Sequence, residues 1–363
     1  MELKVEGGKP AEFECDVVVL AHFEPEKGEK PKFERSLDAL DKRVEGGVST
    51  AVSSGEFTGK LNQLLILHTQ RMKSPRLFVV GLGKRSEFEP DKVRQAAGKA
   101  ATAARDTGAK SAAFLLDSFE GKVARQELAR LIAEGAALSL YEFKRYKAKE
   151  EEPKELSSLA IITEGDAKEL KAGAEMGEIL ADSANIARDI SNDPGNYATP
   201  EKIAEKAKEL AKEYGFSCKV LGKKEIEKEK MGGILSVSSG SHQPPAFVIL
   251  EYSHGRAKQP LALIGKGITF DSGGISIKPS RDMDRMKHDK AGACAVLGAF
   301  VAAARLKLPV NIIGLLPLVE NLPGGGAARP GDIVKSHSGK TIEIITTDAE
   351  GRVILADAIS YSA

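Results

Sequence analysis

Leu261-Ala-Leu-Ile-Gly-Lys-Gly-Ile-Thr-Phe-Asp-Ser-Gly-Gly-Ile-Ser-Ile-Lys-Pro-Ser280 is the stretch from which the rest of the chain can be read. Its first four residues form a short apolar run, the pattern of a buried strand. Gly265-Lys266-Gly267 follows, and Asp271 lies five residues after Lys266, just before Gly273-Gly274. Glycines at such places let the backbone approach a ligand closely. A charged group at the edge of an apolar run is costly unless it is paired or bound to a metal.

Two further segments carry the same signature. In Met286-Lys-His-Asp-Lys-Ala-Gly-Ala293, Asp289 precedes an apolar helix expected over Ala291–Arg305. The N-terminal dipole of that helix favours an anion. In Thr346-Thr-Asp-Ala-Glu-Gly-Arg352, Asp348 and Glu350 are two residues apart. In an extended segment they point to one face. Asp271, Asp289, Asp348 and Glu350 would repel one another if they converged without a cation. A pair of divalent metals removes that conflict and supports hydrolysis of stable bonds. An oxygen-rich donor set suits Mn²⁺ or Mg²⁺, and Zn²⁺ where carboxylates suffice. Asp282, Asp284 and Asp332 lie in the same region, and spacing alone leaves them open as members. His288 adjoins Asp289, but a helical neighbour points about 100° away, which reads as a surface or supporting position. Ser338-Gly-Lys-Thr341 resembles the end of a phosphate-binding loop, yet Val334 stands where that motif needs its first glycine. Gly81-Leu-Gly83 lacks the third glycine of a dinucleotide fingerprint.

Upstream, strands and helices alternate. Strands are expected at Cys15–Ala21, Gln63–His68, Arg76–Gly81, Ser111–Leu116 and Ser158–Thr163. Helices are expected from Asp91 to about Asp106, over Lys122–Tyr146 and over Asp166–Ser191. This alternation implies a mostly parallel sheet covered by helices. The charged run Lys147–Leu156 reads as a solvated connection. Thr199-Pro200 reads as a helix cap with proline in the first turn, and that helix ends at Gly215. A second unit follows: strands at Cys218–Leu221, Ile234–Val237, Ala246–Tyr252, Leu261–Ile264, Val310–Leu316 and Thr341–Thr346. Its remaining helices are Glu225–Lys230 and Val353–Ser360, with a turn at Gly232-Gly233.

Composition bounds the function. The 363 residues are 42% hydrophobic and 29% charged, enough for two domains with sizeable cores. Lys and Arg total 53 against 52 Asp and Glu, a net charge of +1. This balance gives no electrostatic case for nucleic acid or a membrane surface as partner. The three cysteines, Cys15, Cys218 and Cys294, are widely scattered and read as reduced thiols of a cytosolic protein.

At these residues the chain resembles the leucyl (cytosol) aminopeptidase family of two-metal exopeptidases. The resemblance rests on Gly265 to Ser280, on Met286-Lys-His-Asp289 and on Thr347-Asp-Ala-Glu-Gly-Arg352. Asn192-Asp-Pro-Gly-Asn-Tyr-Ala-Thr-Pro200, Met231-Gly-Gly-Ile-Leu235 and Arg329-Pro-Gly-Asp332 also fit. The chain departs from the family pattern at Thr346, where Asn is usual, at Val353, where Leu is usual, and at Lys290, where Met is common.

The resemblance implies a role for each residue. Lys266, Asp271, Asp289, Asp348 and Glu350 would be metal ligands, with Asp271 and Glu350 shared between two Mn²⁺ or Zn²⁺ ions. Lys278 would polarise the scissile carbonyl, Arg352 would hold a bicarbonate, and Met286 would line the pocket for the first side chain. It further implies peptide substrates with a free N-terminus, a homohexamer and a cytoplasmic location. The implied fold is α/β: an N-terminal three-layer αβα domain, macro-like, over residues 1–150, a linker and connecting helix over 151–200, and a larger metallopeptidase domain over 201–363. The last residues read as an interior helix without a stop signal, so the peptidase domain is expected to be incomplete at its C-terminus. The competing expectations are a DNA-associated regulator and an inactive metal- or nucleotide-binding module of the same fold.

Overall fold

The computed structural model describes residues 1–27, 33, 35–119, 121, 123–148, 154–256 and 259–362. Residues 149–153 of the expected linker lie outside these, as do Lys122 and Ala363. The chain divides into two compact units, Met1–Asp182 and Ser183–Ala363.

The first unit contains strands β1 (Glu2–Gly7), β2 (Val17–Glu24), β3 (Leu64–His68), β4 (Arg76–Lys84), β5 (Ser111–Leu115) and β6 (Ser158–Thr163). Their order in the sheet is β1-β6-β5-β2-β4-β3, and only β3 runs antiparallel to its neighbour. The helices are α1 (Arg35–Asp41), α2 (Gly47–Ser53), α3 (Pro90–Asp106), α4 (Arg125–Ser139) and α5 (Lys168–Asn192), which continues past residue 182. Alternate strand residues face opposite layers. Val17, Val19, Phe78 and Phe114 pack with Ala96 and Ala100 of α3 and Leu128 and Ile132 of α4. Val18, Leu20, Leu77 and Val79 pack with Leu37 and Leu40 of α1 and Val48 of α2. The result is three layers, α, β and α.

Four features depart from the sequence reading. β1 is an edge strand whose residues alternate Glu, Leu, Lys, Val, Glu, so little of it registers as an apolar run. The unit extends past the expected boundary at residue 150, because β6 lies between β1 and β5. β4 continues through Gly81 to Lys84. Gly81 does not end the strand; it admits a neighbouring loop, since a Cβ there would lie 2.0 Å from the Lys60 carbonyl oxygen. The helix expected over Lys122–Tyr146 is confined to Arg125–Ser139.

The second unit holds α6 (Pro200–Tyr214), β7 (Ser217–Leu221), α7 (Lys223–Lys228), α8 (Gly232–Ser238), β8 (Ala246–Ser253), β9 (Leu261–Ile264), β10 (Gly267–Asp271), α9 (Ala291–Arg305), β11 (Asn311–Asn321), β12 (Ile333–Lys335), β13 (Thr341–Glu343) and α10 (Glu350–Ser362). The Thr199 hydroxyl accepts a hydrogen bond from Lys202 N at 3.3 Å and caps α6, which ends at Gly215 with φ 80°. The long strand β11 organises the sheet. It pairs antiparallel with β8 along one edge. Along the other it pairs parallel with two short strands in succession, β9 opposite Ile312–Leu315 and β10 opposite Leu318–Asn321. Helices α6 and α9 cover one face, and α8 and α10 cover the other.

The segment expected as a turn and strand at 232–237 is helix α8. Four residues, Ile234-Leu-Ser-Val237, are too few for periodicity to separate the two states. Long-range contacts decide. Asp357, buried in α10, accepts from Ile234 N at 2.9 Å at the helix start. Gly232 and Gly233 lie against the Lys335 and Val353 carbonyls, where a Cβ would come within 2.1 and 2.5 Å.

Candidate metal centre

The break between β9 and β10 positions the site. Gly265 and Lys266 are the only residues between the two strands, so Lys266 leaves the sheet where the edge changes from one to the other. A Cβ on Gly265 would lie 2.5 Å from the Gly292 carbonyl, so glycine permits the contact between this break and the start of α9. That contact brings Asp289, two residues before α9, toward Lys266. At the far end of β10, Asp271 stands in register with Asn321, the last residue of β11. After it, Gly273 and Gly274 take φ values of 88° and 67°, a region unfavourable to other residues. They turn the chain so that Lys278 returns over Asp271.

Asp348 and Glu350 arrive differently from the sequence expectation. Asp348 lies on a 3₁₀ turn, Thr347–Ala349, that runs straight into α10, and Glu350 is the first residue of that helix, so the two do not share an extended segment. Their carboxylates still converge, because the turn is fastened from outside. Thr347 donates from Oγ1 to Gly273 O at 2.6 Å and accepts from Ser276 N at 2.8 Å.

Each lysine stands between two carboxylates. Lys266 Nζ is 2.8 Å from Asp289 Oδ2 and 2.8 Å from Glu350 Oε1. Lys278 Nζ is 2.9 Å from Asp271 Oδ2 and contacts Asp348 Oδ1. Burial pushes the pKa of each lysine down, but hydrogen bonds and charge from its two acids outweigh this and hold it above the ordinary lysine value. Burial raises the pKa of Asp289, against the opposing pull of Lys266.

The donor set fits divalent cations. Asp271, Asp348 and Glu350 bring carboxylate oxygens within 4.8 Å of one another. Asp289 Oδ2 is buried and meets only the Lys266 ammonium, at 2.8 Å, so a divalent cation at this oxygen would take the place of the lysine's charge. Asp282 is exposed and lies near Arg281 and Arg285, each at 3.5 Å. Asp332 pairs with Arg329 at 3.1 Å, and Asp284 is exposed. None of these three joins the group.

The remaining expected residues lie around the centre. Met286 is half-buried on the 3₁₀ turn Met283–His288. His288 is exposed, with Nδ1 3.4 Å from Ser191 Oγ. Arg352 is exposed in the first turn of α10. A largely apolar pocket beside Glu350 is lined by Val237, Asn321, Ala327, Ile344, Thr347 and Val353. Sequence reasoning passed over Asn321 and Thr347, whose side chains fasten the acidic segments together, and left Lys290 as a mere departure. Lys290 is 0% exposed, with Nζ 2.8 Å from Asp193 O and 2.5 Å from Lys287 O. Burial lowers its pKa to about 8. Only the break in the Met-Lys-His-Asp pattern could have drawn attention to it.

Fold and site together define a class: an α/β protein whose strand ends carry a carboxylate-rich centre suited to divalent cations. Residues 185–363 match the catalytic domain of the cytosol aminopeptidase family, and residues 17–150 match its N-terminal domain. The chain belongs to that family. It is 43% identical to a probable cytosol aminopeptidase of Geobacter sulfurreducens, over 100% of this chain and 73% of that protein. It is 39% identical to the cytosol aminopeptidase of Pseudomonas aeruginosa over the same shares. Among solved structures, a mutant of tomato leucine aminopeptidase is similar with a TM-score of 0.87 at 31% identity, covering 100% of this chain and 71% of that one. The bottromycin maturation enzyme BotP in complex with Mn gives 0.80 at 32% identity, covering 96% and 69%.

Proposed function

We propose that this protein is a metal-dependent aminopeptidase that removes the N-terminal residue of peptides at a centre of two divalent cations. The observation that carries the reading is the pair of lysines clamped between carboxylates, Lys266 by Asp289 and Glu350, Lys278 by Asp271 and Asp348. Lys266, Asp271, Asp289, Asp348 and Glu350 would hold the cations, with Asp271 and Glu350 shared. Mn²⁺ or Zn²⁺, when bound, supplies the charge that activates water and polarises a carbonyl.

The chain's own residues do the rest. To act as a ligand, Lys266 must release a proton from Nζ, and moving its pKa from about 10.4 to below 7 costs roughly 5 kcal/mol, which cation binding has to offset. Lys278 keeps its proton and stabilises the negative charge that develops on the scissile carbonyl oxygen. Arg352, exposed on α10, is free to hold a small oxyanion such as bicarbonate near the water. Met286 borders the space for the first side chain. Restriction to the N-terminus follows if the substrate's free amine is itself a ligand. By family likeness the assembly is a homohexamer of the cytosol; no described helix is long and apolar enough to cross a membrane.

The test is release of free leucine from a leucyl chromogenic amide by the full chain with Mn²⁺ or Zn²⁺. Turnover should disappear with chelator and return with metal. Asp348→Ala should lose metal, counted by elemental assay, and turnover together. Equal metal content and equal rate in Asp348→Ala and the parent would remove Asp348 from the site.

A further inference from the structure

Asn321 closes β11 and is 4% exposed. Its Nδ2 donates to Asp271 Oδ1 at 2.8 Å and to Thr347 O at 3.0 Å, and reaches Glu350 Oε2 at 3.4 Å. An amide nitrogen carries two hydrogens, so these acceptors share both of them. The backbone behind the amide is fixed as well. Asn321 O accepts from Ser272 N at 3.0 Å and from Ser272 Oγ at 2.9 Å. On the amide's other side Gly274 leaves room for Asn321 Oδ1, since a Cβ there would come within 2.8 Å of it. The hydrogen bonds of the amide and of its backbone hold it in place.

The two carboxylates it touches each meet a lysine through one oxygen and the amide through the other, and Asp271 Oδ1 also accepts from Gly273 N at 2.9 Å. Asp271 meets Lys278 with Oδ2 and Asn321 with Oδ1; Glu350 meets Lys266 with Oε1 and Asn321 with Oε2. The lysine contacts are charged and compete with any cation for the same oxygens. The amide contacts are neutral, sit on the opposite oxygens, and add no positive charge to repel a cation.

We infer that Asn321 is a positioning residue, whose amide holds Asp271 and Glu350 in one register for divalent cations when the lysine contacts give way. This rests on the proposed reading that these two acids are ligands. Outer partners of metal ligands are worth about 10–100-fold in metal affinity.

Titration calorimetry with MnCl₂ on the full chain tests it. Asn321→Leu keeps the approximate size and removes the donors, and should raise the Mn²⁺ dissociation constant about 10–100-fold. Asn321→Ser, which is smaller and does not reach the acids, should give a loss of the same order and serves if the leucine variant fails to fold. Ser276→Ala loosens the same 3₁₀ turn, by removing the acceptor of Thr347 N at 3.2 Å, without touching a carboxylate. It should stay within about twofold of the parent, since no ligand partner is lost. Melting curves in chelator, where the cation plays no part, separate affinity from folding. Unchanged affinity in the asparagine variants, or an equal loss in Ser276→Ala, overturns the inference. A parent chain that binds no Mn²⁺ overturns the metal reading itself.

Discussion

Glu134 in the first unit and Glu350 in the second are both buried acids, 7% and 3% exposed, and they are held by different cations. Glu134 lies on α4, with Arg94 Nη1 of α3 2.8 Å from Oε1 and Arg130 Nη1 of α4 on Oε2. Glu350 is held by Lys266, which also holds Asp289. A guanidinium does not lose its proton in a protein and grips a carboxylate with a rigid fork; an ammonium is a point charge whose proton can be withdrawn. The arginine cluster is therefore a permanent fastening between helices. On the proposed reading the lysine pairs are exchangeable: the same acids would pass from ammonium to metal. Two buried glutamates thus differ in chemistry through the choice of base.

The largest expected effect comes from making the second cluster resemble the first. Lys266→Arg keeps the positive charge but forbids its loss, so Mn²⁺ binding by calorimetry and turnover of a leucyl amide should both fall to background. The melting temperature in chelator should stay near that of the parent. If the arginine variant binds Mn²⁺ as the parent does, the distinction between the clusters collapses.

Next in size is removal of the permanent fastening. Glu134→Leu leaves two arginines without their shared acid and should lower unfolding stability in urea by about 1–3 kcal/mol. Mn²⁺ affinity should not change. A parallel loss of affinity would mean that the arginine cluster also serves the site.

The smallest effect is in pH. The folded pKa values of Lys266 and Lys278 are raised above their unfolded values by their acid partners, acting against burial. Their contribution to stability is thus fully present below the unfolded lysine pKa of about 10.4 and is lost as pH rises through the folded values. With chelator present, the melting temperature should drop in strongly alkaline solution, and Lys266→Met should flatten that drop. Glu134→Leu should leave its slope unchanged, because arginine does not titrate there. A slope unaffected by Lys266→Met would break the contrast.

Legibility in the sequence followed locality. Ser158–Thr163 and Ala291–Arg305 have the bounds that their apolar runs suggested, because a buried strand or helix needs little beyond its own pattern. β1 escaped notice because an edge strand exposes one face and fills it with Glu2, Lys4 and Glu6. α8 was misread because its start is capped by Asp357, far along the chain. In the candidate site, Lys266 between two glycines and Asp271 just before Gly273-Gly274 stood out as charges at the edge of an apolar run, whereas Lys278 was picked out only by the family resemblance. Asn321 did not stand out, because an asparagine at the end of a strand looks like any turn residue until its partners are known.

The sequence by itself determined the alternation of strands and helices, the presence of acids and lysines among glycines, and the family those motifs share. These are properties of neighbours along the chain. Only the tertiary structure decided that β9 and β10 share one edge of β11, that Asp348 sits on a 3₁₀ turn and Glu350 at the start of α10, and which lysine faces which acids. The reason is physical: the position of a buried charge is set by the oxygens and amides that surround it, and those come from segments tens of residues away.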